Sequence, residues 1–342
     1  MPGNPRLAQW LVNIGLLIAS VVLFLGGIEL FLRLTGLQTT APTAPLIYQR
    51  NPDPLISYEL KPGMVNVPGF RDRVTTDAHG FRSPAINQSK PTIVLLGDSV
   101  TFGYGVENNQ TLAAHLSRAF PLFNVVNTGV PGYGLTQEVE TYEKKLAPLK
   151  PSVLILVFFI GDFGRQIAWL DSQDILRVPG WKPDQSRCAP IEQGILAFIP
   201  GKCWLDAHSA LYKLLEKFVT RRAVQQDLAA GQHQALQNVY QETVTPQEMA
   251  ESRKEFEPLQ SMLSPTLPRL FVLWPDRDIH LEARTFLRQL ALSHGWKFLD
   301  LYEFFGNRME TLPGDSIHPS VQSIEEAASI MANTLKHEKL LK

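Results

Sequence analysis

A serine, a histidine and an aspartate are placed along this 342-residue chain in a way that suggests nucleophilic catalysis. Ser99 ends a Gly-Asp-Ser sequence that follows the apolar run Thr92–Leu96. Such a run is typical of a buried parallel strand, and ligands bind at the carboxyl ends of these strands. Near the other end of the chain, Asp315 precedes His318 by three residues. A serine hydroxyl is a weak nucleophile, so we expect His318 to take its proton while Asp315 orients the imidazole.

The elements that would position these residues are short apolar runs separated by helical stretches. The alternation predicts an α/β fold, in which a parallel sheet carries helices on both faces. The five runs are Thr92–Leu96, Phe123–Val126, Ser152–Ile160, Arg269–Trp274 and Lys297–Leu301.

Two other segments frame the predicted sheet. Residues 163–265 interrupt the alternation, and we expect them to form an insertion that serves as a lid or side wall. The chain closes with a predicted helix, for which Ser323 and Glu326 fit a capping box. Its apolar stripe consists of Ile324, Ala328, Met331 and Leu335.

The N-terminal segment has the length and composition of a membrane span. Residues 10–32 are almost wholly apolar, and no charge occurs between residues 14 and 28. About 20 such residues cross the hydrocarbon layer as a helix. We therefore predict one transmembrane anchor in a domain of residues 1–36. A cleaved signal peptide or a buried core helix would be the alternatives, although residues 29–36 offer no small-x-small cleavage site. Arginines on both sides of the segment leave its orientation open.

The remaining chain divides into a connecting part and a larger domain. Residues 37–60 are rich in threonine, proline and alanine, which is typical of a linker. We predict a linker and lead-in segment over residues 37–90 and the main domain over residues 91–342.

Composition narrows the possible partners. A net charge of −1 and the lack of any basic run argue against nucleic-acid binding. The histidines are scattered without ligand spacing, so no metal site is expected. Cys188 and Cys203 are the two cysteines, and they are either unrelated thiols or one disulfide, which would require an oxidising compartment.

Three ordered blocks of sequence resemble the SGNH, or GDSL-type, hydrolase superfamily over roughly residues 91–336. They are Gly97-Asp98-Ser99, then Asn127-Thr-Gly129-Val-Pro-Gly132-Tyr-Gly134, and finally Asp315-Ser-Ile-His318-Pro319. The resemblance implies a flavodoxin-like, three-layer α/β/α fold with five parallel strands and the nucleophile at Ser99. It also implies an oxyanion hole that uses the backbone N–H groups of Ser99 and Gly129, and no metal or organic cofactor.

The chain departs from the family pattern at one block, where an asparagine is expected after a glycine. Here the sequence reads Gly161-Asp162-Phe163, so Asp162 stands at or beside the asparagine position. That asparagine donates the third hydrogen bond to the oxyanion, and loss of one such donor costs about 10²–10³ in rate. An ionised Asp162 would repel the oxyanion, whereas a protonated one would help. Asn127 and Arg165 are possible substitute donors.

These observations support three hypotheses. The first is a serine esterase that removes O-acyl groups, with acetyl as one candidate, from a cell-envelope glycan or lipid. The second is an O-acyltransferase that moves the acyl group to a polysaccharide. The third is a catalytically impaired binding or assembly protein, because of Asp162. The argument for an exported domain, on the periplasmic side of a bacterial inner membrane, comes from the cysteine pair and from the family resemblance. The natural substrate and oligomeric state stay open.

Overall fold

The structure is a computed structural model that describes residues 5–35, 37, 47–70, 72–172, 174–179, 199–215, 218, 241–312, 315 and 317–341. The chain separates into two compact units. The helical unit comprises Met1–Thr43 and Trp181–Gln226, and the sheet unit comprises Ala44–Gly180 and Asp227–Lys342.

A five-stranded parallel sheet forms the centre of the sheet unit, which confirms the predicted fold class. The strands are β1 (Thr92–Gly97), β2 (Asn124–Asn127), β3 (Val153–Phe159), β4 (Arg269–Trp274) and β5 (Lys297–Asp300). Their spatial order is β5-β4-β3-β1-β2. The three central strands are buried along nearly their whole length, which explains why the sequence shows them as continuous apolar runs.

Helices cover both faces of this sheet and complete the three layers. The labelled helices are α1 (Pro5–Thr35), α2 (Ser99–Phe102), α3 (Leu112–Ala119), α4 (Leu135–Thr141), α5 (Lys202–His208), α6 (Pro246–Met262), α7 (Leu281–Ser293), α8 (Tyr302–Phe305) and α9 (Val321–His337). Helices α3 and α9 pack together over one face of the sheet, while α4, α6 and α7 cover the other.

The C-terminal helix starts earlier than its sequence suggested. Ser320 is the N-cap of α9, since its hydroxyl accepts a hydrogen bond from the Ser323 N–H at 3.2 Å. The predicted capping box at Ser323 is therefore wrong, and the Ser323 hydroxyl donates instead to the Glu310 carbonyl. The predicted apolar stripe is buried against the sheet.

Two segment assignments also change. The linker interpretation fails from residue 47 onward, because Ile47, Tyr48 and Tyr58 are buried. They belong to a small cluster that includes the antiparallel pair Tyr48–Arg50 and Tyr58–Leu60.

The last part of the predicted insertion is not a lid, since α6 packs on the sheet and its Phe256 is fully buried. Two further antiparallel pairs join Val67–Pro68 to Arg73–Val74 and Trp169–Leu170 to Leu176–Arg177.

The helical unit contains the long N-terminal helix. Gln9–Thr35 within α1 is long and apolar enough to cross a membrane, with a mean hydropathy of 2.5. This agrees with the predicted span but also fits a signal sequence. Besides α5, the described part of this unit includes helical residues 210–215. The question of a Cys188–Cys203 pair lies outside the described residues.

Candidate active site

Ser99 stands at the carboxyl end of β1, where a sharp turn leads into α2. A Cβ at Gly97 would lie 2.2 Å from Thr101 Oγ1 and 2.7 Å from the Val157 carbonyl oxygen, so only glycine fits in this turn. Asp98 caps α2, because its Oδ1 accepts a hydrogen bond from the Val100 N–H at 2.9 Å. The turn thus places the Ser99 hydroxyl at the edge of the sheet where ligands bind in such folds.

His318 lies beside this hydroxyl. Its Nε2 is 3.0 Å from Ser99 Oγ, and its Nδ1 is 2.8 Å from Asp315 Oδ2. Backbone contacts hold Asp315 beside His318, since Asp315 Oδ1 accepts hydrogen bonds from the N–H groups of Ile317 and His318 at 2.8 and 2.9 Å. The Leu312 N–H also donates to the His318 carbonyl at 2.9 Å. The structure therefore brings together the three residues expected to form a catalytic set.

Hydrogen bonding keeps the aspartate of this set ionised. Burial alone would raise the pKa of the Asp315 carboxyl. Hydrogen bonds from the His318 ring and from two backbone N–H groups outweigh burial and lower that pKa to about 2. The carboxylate can therefore hold the imidazole tautomer and stabilise an imidazolium at neutral pH.

An aromatic ring that was not singled out in the sequence supports the imidazole from one side. Tyr104 stacks on His318, with ring centroids 3.8 Å apart and planes 13° from parallel. Phe70 stacks in turn on Tyr104 at 4.1 Å. The only local signal for Tyr104 is its place in a Gly-Tyr-Gly turn shortly after Ser99, and nothing in that turn points to the distant histidine.

The backbone donor that the family resemblance implied is already engaged. The Gly129 N–H donates to Asn127 Oδ1 at 3.0 Å, and the Asn127 amide donates to the Phe102 carbonyl at 3.3 Å. A Cβ at Gly129 would lie 2.2 Å from the Phe102 nitrogen, so this glycine serves close packing. The geometry thus argues against both Gly129 and Asn127 as oxyanion donors. By contrast, the N–H groups of Ser99 and Gly132 donate to none of the described residues.

Asp162 follows β3 in a short 3₁₀ turn and is buried. Its Oδ1 lies 2.6 Å from Nη2 of Arg165, and the guanidinium extends onward so that Nη1 is 4.0 Å from Asp98 Oδ2. That same Asp98 oxygen lies 3.1 Å from Ser99 Oγ, so the single hydroxyl proton can be directed either to Asp98 or to His318 Nε2. Arg165 therefore spans the space between the unexpected carboxyl and the surroundings of the nucleophile.

The charges around this arginine are unusual for a buried site. Burial raises the pKa of Asp162 well above its usual range, Asp98 and Glu138 raise it further, and Arg165 opposes them. Burial likewise raises the pKa of Glu138. Burial alone would lower the pKa of Arg165, but the carboxyls of Asp162 and Asp98 raise it overall. With one cation among three buried carboxyls, the environment favours at least one protonated carboxyl.

A cavity of about 570 Å³ adjoins the arginine. The absence of a side chain at Gly134 leaves room for the Arg165 side chain, because a Cβ on Gly134 would come within 3.1 Å of the Arg165 Cβ. Within the residues described, no group of three or more His, Cys, Asp or Glu side chains is arranged to hold a metal ion. The cavity is lined by Gly132, Arg165, Gln166, Ala168, Val178 and Pro179.

Comparison with known proteins agrees with these motifs. The sequence profile of the GDSL-like Lipase/Acylhydrolase family matches residues 95–323. No protein with a curated description matches the chain. Among solved structures, a lipase/acylhydrolase from Enterococcus faecalis is 13% identical, with a TM-score of 0.42 over 72% of this chain and 96% of that one.

Two other solved structures show similar coverage of this chain. A member of the lipolytic protein G-D-S-L family from Veillonella parvula DSM 2008 is 12% identical, with a TM-score of 0.37 over 71% of this chain and 98% of that one. A two-domain esterase active on acetylated mannans is 14% identical, with a TM-score of 0.40 over 75% of this chain and 51% of that one.

Proposed function

The chain belongs to the GDSL-like lipase/acylhydrolase family, and we propose that it is a serine esterase that hydrolyses O-acyl esters of a cell-envelope glycan or lipid. One observation carries the catalytic part of this proposal. Ser99 Oγ lies 3.0 Å from His318 Nε2, while His318 Nδ1 lies 2.8 Å from Asp315. A nucleophile, its base and the group that orients the base are thus within hydrogen-bond reach.

The reaction proceeds through an acyl-enzyme. His318 Nε2 takes the Ser99 proton as Oγ attacks the ester carbonyl carbon, and a tetrahedral intermediate forms. His318 then gives this proton to the departing alcohol, which leaves the acyl group on Ser99. In the second half, His318 takes a proton from water, whose oxygen attacks the acyl carbon. The acid is released as Ser99 regains its proton, while Asp315 stabilises the imidazolium that forms in each half.

The oxyanion requires donors, and Arg165 takes the role that the missing asparagine would have had. We assign the oxyanion hole to the N–H groups of Ser99 and Gly132 together with the Arg165 guanidinium. The two N–H groups have no acceptor in the described part of the chain, and Gly132 lines the same cavity as Arg165. A guanidinium is a charge-assisted donor and is stronger than a neutral amide.

In this arrangement, Asp162 is a positioning residue. Its carboxyl holds Nη2, which leaves the Nη1 side of the guanidinium directed to the region of Asp98 and Ser99. The guanidinium offsets negative charge on this carboxyl, and the protonated form that burial favours carries no charge to repel an oxyanion. The departure from the family pattern is then compatible with turnover, which favours the esterase over the impaired binding protein.

The location of the protein limits the substrate class. A membrane anchor over residues 10–32 would hold the enzyme at the cell envelope, so acylated glycans and lipids are the esters within reach. The cavity beside Arg165 offers space for the acyl group or for the alcohol part of such a molecule.

A serine-directed probe tests the catalytic proposal. We expect a fluorophosphonate to label the wild-type protein on Ser99, and Ser99→Ala to lose both labelling and hydrolysis of 4-nitrophenyl acetate. Ser293→Ala is a matched control, because that hydroxyl contacts the Leu290 carbonyl of its own helix and the adjacent His294 ring, away from Ser99. Labelling that persists in Ser99→Ala would contradict the assignment. Product analysis with an added polysaccharide distinguishes free acid, expected here, from acyl transfer.

A further inference from the structure

Two charged residues of the N-terminal helix are joined to the later part of the helical unit. Glu29 Oε2 accepts hydrogen bonds from the Ser209 hydroxyl and the Leu211 N–H, both at 2.9 Å. Its Oε1 accepts from the Ala210 N–H at 2.8 Å. These donors lie at the start of helical residues 210–215, where backbone N–H groups have no partner within the helix.

Arg33, one turn further along α1, engages the opposite kind of helix end. Its Nη2 donates to the carbonyl of His208, the last residue of α5, and its Nε donates to Glu29 at 2.6 Å. A carboxylate thus meets the positive end of one helix, and a guanidinium meets the negative end of the helix before it. This charge complementarity fixes α1 to the junction at Ser209, and we call these contacts the Glu29 clamp.

The clamp lies where a membrane-spanning helix would leave the hydrocarbon. Trp10 and Glu29 are separated by about 28 Å along an α-helix, close to the thickness of a bilayer core. Most side chains of α1 before residue 28 are exposed, whereas Leu32 is buried. Residues 208–211 therefore sit at the level of the lipid headgroups when α1 spans the membrane.

The residues next to the clamp expose large apolar side chains. Trp204 is 64% exposed, Leu215 is 48% exposed and Phe218 is 61% exposed. Tryptophan is enriched at membrane–water interfaces. In water these side chains would be unfavourably exposed, but at headgroup depth their apolar parts find a suitable environment.

We propose that residues 199–215 together with Phe218 belong to a membrane-surface element, which the Glu29 clamp holds against the retained N-terminal helix while Trp204, Leu215 and Phe218 insert into the phospholipid interface. The N-terminal helix is then a permanent part of the helical unit and not a cleaved signal. The bilayer is the partner because the clamp joins this element to the point where the spanning helix emerges.

The test uses the full chain reconstituted into vesicles of phosphatidylethanolamine and phosphatidylglycerol with brominated acyl chains, which quench nearby tryptophan. We expect Trp204→Phe to reduce the bromolipid-dependent quenching. Trp296→Phe is the control, since Trp296 is buried in the core and cannot touch lipid, so its removal should leave the bromolipid-dependent quenching unchanged. Equal quenching in Trp204→Phe and wild type would overturn the membrane contact.

Two further measurements address the clamp itself. Glu29→Ala should bring quenching close to that of Trp204→Phe, whereas Glu29→Gln, which keeps an acceptor oxygen, should fall between it and wild type. Wild-type quenching in Glu29→Ala would contradict the clamp, provided that probe labelling of Ser99 shows the variant to be folded. Intact-mass measurement of protein from membranes should find residues 10–35 present. A mature chain that starts after residue 29 would refute the proposal.

Discussion

The Arg165 guanidinium lies 2.6 Å from the Asp162 carboxyl, so the acid at the expected asparagine position is in contact with a cation. The two residues are three positions apart in the turn that follows β3. This pairing changes the meaning of the sequence departure. In our proposal the carboxyl does not simply replace an amide donor, because it positions a different donor.

Asp162→Asn separates these two interpretations. If Asp162 only removes the hydrogen-bond donor that an asparagine would supply, the substitution should raise turnover. If it holds Arg165, the amide weakens the contact with the guanidinium, and we expect kcat for a short-chain aryl ester to fall about 10-fold or more, a part of what loss of one oxyanion donor costs.

The control for Asp162→Asn is Asp171→Asn. Asp171 makes a comparable carboxyl–guanidinium contact with Arg177 at 2.7 Å, but it is not in contact with the catalytic set. We expect Asp171→Asn to retain kcat. A faster Asp162→Asn enzyme would remove the positioning role from our assignment.

Arg165→Ala should have the larger effect. Loss of a donor to the oxyanion is expected to lower kcat by about 10²–10³, with a smaller change in KM, because the interaction forms mainly in the transition state. Guanidinium chloride at millimolar concentration should restore part of the activity of Arg165→Ala and none in Ser99→Ala. A purely structural role for Arg165 would give no such rescue, and steady-state kinetics with and without the added cation distinguishes the two.

Much of the arrangement of Ser99, His318 and Asp315 could be predicted from the sequence because its determinants are local. A buried strand followed by a glycine turn presents Ser99, and the short Asp315–His318 spacing lets one carboxylate accept both ring and backbone N–H groups. The parallel strands are recognisable for a similar reason, since burial on both faces leaves continuous apolar runs.

The surroundings of Ser99 were harder to predict, because they depend on contacts between distant segments. Whether the Gly129 N–H is free is decided by the rotamer of Asn127, and no sequence pattern reports that rotamer. The contact of Arg165 with Asp98 joins the ends of two strands that are neighbours only in the folded sheet. The buried segment from residue 47 resembled a linker, since its few apolar residues gain their burial from partners beyond residue 100.

The pH dependence of stability should reflect Asp315. Its pKa is lowered to about 2 in the folded protein, against about 3.9 for an unperturbed aspartate. A depressed pKa stabilises the folded state at pH values above about 4, and this contribution disappears as the pH falls toward 2. The shift corresponds to about 2 kcal/mol.

Denaturant unfolding of wild type and Asp315→Asn measures this contribution. We expect the variant to be less stable at pH 6, and the difference between the two proteins to shrink as the pH is lowered to 3. A difference that stays constant over this range would show that hydrogen bonding to a charged carboxylate is not its source. The same variant should hydrolyse esters about 10³–10⁴ times more slowly, because the imidazole loses its orienting anion.

Tyr104 provides a test of how the imidazole is positioned. Its ring lies parallel to the His318 ring at 3.8 Å, on a loop separate from the one that carries the histidine. Aromatic pairs of this kind contribute about 0.5–1.5 kcal/mol, so Tyr104→Ala should reduce kcat about 3- to 10-fold as His318 gains freedom to rotate away from Ser99. Tyr104→Phe keeps the stacked ring and should stay within about twofold of wild type. The kcat values of both variants, measured across the pH range of activity, check the assignment. If Tyr104→Phe were as slow as Tyr104→Ala, the phenolic hydroxyl rather than the stacked ring would be the important group.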